Sequence, residues 1–206
     1  MPISRRTLLS IVAAGSLAPG LAWAPGLAWA DEDPRRTERS FGHPDAKVTV
    51  TEFFSLTCTH CAHFANAVMP QVTKELVDTG KLRFVYRDFP LDQVALTAAM
   101  VARALPAAEY EPFIATLFAS QDRWAFARGA DTIAELSKLA ALAGLSQDTF
   151  NATIADTALR AWIVAQQTAD QKKYGIDSTP TFLIGGKTHP GALEYDEFSK
   201  LVAAVS

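Results

Sequence analysis

Cysteine is almost absent from this chain: of its 206 residues only Cys58 and Cys61 carry a thiol. With no second cysteine pair and no histidine pair at finger spacing, a structural zinc site of the usual kinds is excluded. His60 and His63 beside the pair leave room only for a weak or adventitious metal site. Positive charge is also in short supply, 19 Lys and Arg against 22 Asp and Glu for a net charge of −3, and no basic patch suggests nucleic acid. A structural disulfide is a poor use of two cysteines three residues apart, because closing so short a loop gives only about 2 kcal/mol. What remains is a redox-active dithiol, which needs two sulfurs able to interconvert and one exposed enough to react.

The surroundings of the pair agree. Lys47 to Phe54 alternates β-branched, aromatic and polar residues as a strand does, and Ala62 to Thr79 has helical composition. Cys58 should therefore sit where a strand turns into a helix, and the unpaired N–H groups of a helix start favour an anion. A thiol that ionises easily is the reactive kind. Val48, Val50, Glu52 and Phe54 fall on one face of the strand, so Glu52 is the odd member of an apolar row. It is either tolerated or paired there, or it is a buried carboxyl with a raised pKa.

Phe53-Phe54-Ser55, Cys58-Thr59-His60-Cys61 and the distant Ser178-Thr179-Pro180-Thr181-Phe182 together resemble the DsbA-like branch of the thioredoxin superfamily, over residues 41 to 206. One departure is Thr59, where many members have proline. The resemblance implies an α/β, thioredoxin-like fold with a helical insertion, at about residues 92–173. It also implies a thiol:disulfide oxidoreductase acting through Cys58 and Cys61, with Glu52 as proton acceptor and His60 tuning the thiolate. Thr179 and Pro180 would hold the substrate backbone. On base rates the Thr179–Pro180 bond reads as trans, whereas the resemblance implies cis. Cysteine-containing protein substrates and a membrane thiol oxidase that reoxidises the pair are the implied partners, with no bound cofactor. The same dithiol run as an isomerase or reductase, or a non-catalytic peptide-binding chaperone on the same fold, are the alternatives.

Residues 1–30 stand apart. Arg5-Arg6 is followed by an uncharged run from Thr7 to Ala30 and then Asp31-Glu32-Asp33, the layout of an export signal. Ser4 to Leu9 resembles a twin-arginine signal, with Leu8 and Ser10 where Phe and Lys are usual, and a general secretory signal is the other reading. Pro19-Gly20 and Pro25-Gly26 argue against a continuous membrane helix. Ala28-Trp29-Ala30 is a candidate cleavage site, as is Ala22-Trp23-Ala24 in the duplicated hexapeptide. The expectation is an exported, periplasmic protein beginning at Asp31 and acting as a monomer. Residues 31–206 then form one domain, with Asp31 to Ser40 polar and loose.

Further on, Pro70 should kink the first helix, which stops at Gly80, and Leu82 to Arg87 reads as the second strand. Asp131 and Ser146 are candidate N-caps within a largely helical stretch. Trp124, Phe126 and Trp162 are either core or a substrate groove. Thr181 to Ile184, a Gly185-Gly186 turn and Lys187 to His189 form a hairpin, and a last helix runs from Tyr195 to Val205.

Overall fold

The computed structural model describes residues 33–129 and 131–206, so the candidate signal and its cleavage sites lie outside the described residues. Among the described residues five strands form one sheet in the order β1-β3-β2-β4-β5. They are β1 (Arg39–Phe41), β2 (Val48–Phe54), β3 (Leu82–Asp88), β4 (Thr181–Ile184) and β5 (Lys187–Pro190). Of the described strands only β2 and β3 run parallel, with Val48 opposite Leu82 and Phe54 opposite Asp88. That pairing requires a crossover, and the helical segment 59–77 supplies it. The central strand β2 is buried on both faces toward its C-terminal end, where Phe53 and Phe54 are each 1% exposed. The buried end of the sheet therefore coincides with the start of the cysteine motif.

The crossover helix is not continuous. It begins as α1 (Thr59–His63), passes through a π turn at Phe64–Val68, resumes as α2 (Met69–Val72) and ends in a second π turn at Thr73–Val77. The kink expected at Pro70 appears as this first π turn. Proline has no N–H to donate to the carbonyl four residues back and crowds it, and one widened turn relieves the crowding. Gly80, at φ 72°, ends the segment, with Gly80 N–H donating to the Val77 carbonyl at 2.9 Å. Phe64 projects beneath the helix against Phe182, ring centroids 4.6 Å apart, and against Phe198 at 5.6 Å. Burying each such ring stabilises the fold by about 1.5–3 kcal/mol.

Between β3 and β4 the chain is helical: α3 (Gln93–Ala104), α4 (Ala107–Ala119), α5 (Gln121–Trp124), α6 (Thr132–Leu142), α7 (Gln147–Ala155) and α8 (Thr157–Tyr174). Four of these starts, those of α3, α6, α7 and α8, are capped by an Asp or Ser side chain. Asp131 accepts from the N–H groups of Ile133 and Ala134, and Ser146 from that of Thr149. Asp92 caps α3 by accepting from Ala95 N–H at 2.7 Å. After β4 the chain turns on Gly185 and Gly186, both at positive φ, as a tight two-residue hairpin demands. A Cβ on Gly185 would meet the Val205 side chain at 2.5 Å. The last helix, α9 (Tyr195–Ala203), stops two residues short of Val205.

One expectation fails at the N-terminal side. Within the stretch read as loose, Asp33 caps a 3-10 turn at Pro34–Arg36, and β1 begins at Arg39, antiparallel to β3 with Arg39 opposite Tyr86. The arginines are what order it. Arg35 pairs with Asp33 at 2.7 Å and with Asp156 at 2.8 Å, while Arg39 is 3% exposed. Asp88, at the end of β3, is likewise held inside by an ion pair with Arg103 of α3 and a hydrogen bond from the Tyr110 hydroxyl at 2.9 Å.

Candidate active site

Cys58 follows the turn Ser55 to Thr57 and is itself the N-cap of α1, in an extended conformation with φ −81° and ψ 119°. Its sulfur takes the capping place usually held by an oxygen, accepting from Cys61 N–H at 3.4 Å. Three side chains fix this turn. Thr57 donates to Asp92 at 2.6 Å, tying the turn to the start of α3. Leu91 N–H donates to Ser55 Oγ at 3.3 Å. Gln121, buried at the start of α5, donates through Nε2 to the carbonyls of Leu56 at 2.8 Å and Cys58 at 3.2 Å. The helical segment thus clamps the backbone on which the reactive sulfur sits. Nothing in the local sequence announces Gln121, which is 63 residues from Cys58; Asp92 carried a signal, as an acidic residue opening a helix after Pro90.

From the other side comes the loop before β4. The Thr179–Pro180 bond is cis, and the Thr179 carbonyl lies 3.2 Å from Cys58 Sγ, where it accepts from the neutral thiol. The Thr179 hydroxyl is buried and finds no hydrogen-bond partner elsewhere among the described residues. It is the group of Thr179 able to donate to the sulfur once the thiol has lost its proton.

The two cysteines are electrostatically unlike. Cys58 is held down at about 5, chiefly by the hydrogen bond from the Cys61 thiol, against burial. The Thr179 hydroxyl and the backbone N–H groups of Cys61 and His60 add to it. Cys61, fully buried, is pushed well above its ordinary value by burial and by its role as donor to Cys58. One thiolate and one thiol share a proton-donor bond, and the ionised member is the outer one. Glu52, 2% exposed, is raised to about 8 by burial and then by the Cys58 charge. It lies on β2 opposite Tyr86 and Phe182, and its Oε1 has no partner among the described residues. No described basic residue pairs with Glu52, which stands as a buried carboxyl.

His60 is exposed, and what it brings to Cys58 is its backbone N–H; the ring makes no hydrogen bond among the described residues. Its placement follows from the helix start, which aims main-chain donors at the sulfur and side chains outward. The aromatic groove does not assemble here. Trp124 is core, 1% exposed, with its indole N–H donating to the Leu117 carbonyl at 2.8 Å. Trp162 lies under the Arg103 guanidinium at 4.7 Å, and Phe126 is exposed. No group of three or more potential metal ligands converges among the described residues.

Residues 35–204 match the thioredoxin family model. The chain is 31% identical to alpha-DsbA1 of Wolbachia pipientis, superposing with a TM-score of 0.76 over 82% of this chain and 90% of that one. This chain belongs to the DsbA-like thioredoxin family. BdbD from Bacillus subtilis shares the fold, with a TM-score of 0.72 over 82% of this chain and 92% of that one at 21% identity. A Rickettsia bellii protein named as a protein-disulfide oxidoreductase is 25% identical over 146 residues, 70% of this chain and 56% of its own. The chain spans about half the length of the curated relatives it matches. In this fold the loop carrying the cis Thr179–Pro180 bond faces Cys58.

Proposed function

We propose that this protein catalyses thiol–disulfide exchange and works as an oxidase, introducing disulfides into folding substrate proteins. The observation that carries the proposal is the pairing of an outer Cys58 thiolate, held at about 5, with an inner Cys61 thiol held far above it. Stabilisation of a thiolate exists only in the reduced protein, since a disulfide sulfur bears no charge. It therefore favours uptake of two electrons from a substrate.

In the oxidised protein a substrate thiolate attacks Cys58 Sγ, forming a mixed disulfide and expelling Cys61 as thiolate. Glu52, protonated at neutral pH, supplies the proton that Cys61 takes up, and as a carboxylate it accepts that proton in the reverse step. A second substrate thiolate then attacks the substrate sulfur of the mixed disulfide and releases the Cys58 thiolate. The substrate loses two electrons and gains a disulfide, and the protein is left as the dithiol. Thr179 and Pro180 border Cys58 and supply the backbone beside which an extended substrate lies. Regeneration requires a thiol oxidant, for which a membrane oxidase is the partner proposed. Residues 1–30 support export to a periplasm-like compartment with a product beginning at Asp31, and a monomer is the state proposed for it.

The test is paired. Oxidised protein added to a reduced, unfolded disulfide protein in glutathione buffer should form substrate disulfides faster than glutathione alone. The same protein with dithiothreitol should reduce insulin poorly. The reverse pattern would assign the dithiol to reduction or isomerisation.

A further inference from the structure

Buried charge is out of balance at one place in this fold, away from the cysteines. Between the Pro34–Arg36 turn, β1 and the C-terminal end of α3 lies a cavity of about 330 Å³. Its walls include Pro34, Leu105 and Pro106 on the apolar side and Arg39 and Arg103 on the charged side. Arg103 is spent on Asp88 and on the carbonyls of Arg35 and Thr37, at 2.8 and 3.1 Å. Arg35 is spent on Asp33 and Asp156, and Arg36 leans on the same Asp33 at 3.6 Å.

Arg39 has no such partner among the described residues. It is 3% exposed, donates one Nη2 bond to the Arg103 carbonyl at 3.0 Å, and sits 5.3 Å over the Tyr110 ring. Its Nε is buried without a hydrogen-bond partner among the described residues. Burial, and then the like charge of Arg103, hold this guanidinium below its ordinary range. Among the described residues of the cluster four arginines face three aspartates, which leaves one positive charge over, on Arg39. An uncompensated buried cation is destabilising, and an anion bound beside it would relieve that cost.

We propose that this cavity binds a small organic monocarboxylate, its carboxylate on Arg39 and its carbon chain against Leu105, Pro106 and Pro34. A single excess charge calls for a monoanion, and the planar guanidinium fork matches a carboxylate. A tetrahedral dianion would bring a second charge toward Asp88 and leave the apolar wall unused. At ~30 Å³ for each water-sized group, the volume accommodates about ten such groups, enough for a chain of several carbons.

The probe is hexanoate, titrated into the full chain at constant ionic strength and followed by the Arg39 Nε–Hε resonance and by the thermal midpoint. Hexanamide and sulfate are run alongside. Saturable one-to-one binding is expected, with a shift of the Arg39 resonance, a rising midpoint, and affinity at least tenfold weaker for hexanamide and for sulfate. Arg39→Met should lower hexanoate affinity at least tenfold. Because that variant removes a buried group, Ala107→Trp, which fills the cavity mouth and leaves every charge in place, should lose binding as well. Hexanamide binding as tightly would reduce the site to an apolar cleft, and sulfate binding as tightly would reduce it to a generic counter-ion position. Absence of saturable binding, or binding that survives either substitution, overturns the proposal.

Discussion

Replacing Cys61 by alanine isolates the largest influence on the reactive thiol. The Cys61 S–H is the first cause of the low Cys58 value, while Cys61 N–H, 3.4 Å from the sulfur, survives any substitution but proline. A hydrogen bond to a charged acceptor contributes about 1.5–3 kcal/mol, which at 1.36 kcal/mol per unit is about one to two pKa units. Cys58 in Cys61→Ala should therefore titrate between about 6 and 7 where the native thiol titrates at about 5. At pH 6 the thiolate fraction falls from about nine-tenths to somewhere between one half and one tenth. Cys61→Ser retains a donor and should stay within about half a unit of native. Ultraviolet thiolate absorbance against pH, checked by the pH dependence of iodoacetamide alkylation, reads all three proteins. If Cys61→Ala titrates with the native protein, backbone N–H groups carry the thiolate and the shared-proton description of the pair is wrong.

Three further outcomes are expected. The reduced protein should unfold at higher urea than the oxidised one at neutral pH, because a thiol at about 5 in the fold and about 8.5–9 in the unfolded chain stabilises the reduced fold above the folded value. The gain at pH 7 is on the order of 3 kcal/mol, equivalent to about 60 mV, grows up to the unfolded pKa and vanishes as pH falls through about 5; equal midpoints at pH 7 would contradict it. Glu52→Gln should raise the stability of both redox forms at pH 8 and change little at pH 4. A buried acid raised to about 8 costs nothing below its unfolded pKa and progressively more as pH rises from there to the folded value; urea midpoints at the two pH values check this, and the same variant should slow both formation of the mixed disulfide and its reversal by Cys61. His60→Ala should move the Cys58 titration by less than about half a unit, since the N–H remains, whereas His60→Pro removes that donor and should raise it by about one unit; a large shift in the alanine variant would restore the imidazole as the tuning group.

The dithiol is legible in the amino-acid sequence itself, because two cysteines three apart at a strand-to-helix junction have few other uses. The row Val48, Val50, Glu52, Phe54 also shows that a carboxyl faces inward, since strand periodicity assigns faces without reference to the rest of the chain. Most strands and the N-caps Asp131 and Ser146 follow for the same reason: their signals are local. Tertiary structure alone decides what reaches those residues across long separations. Gln121 holds the Leu56 and Cys58 carbonyls, and the Thr179 carbonyl and hydroxyl border the sulfur from a loop 121 residues away. Whether Glu52 is paired is settled only by its carboxyl oxygen lying buried with no described basic residue beside it. Arg39 reads in sequence as one more charge in a polar leader, and only the closing of α3 and α4 over it makes it a buried cation. Period and composition act over a few residues, whereas burial and charge balance are properties of the assembled chain.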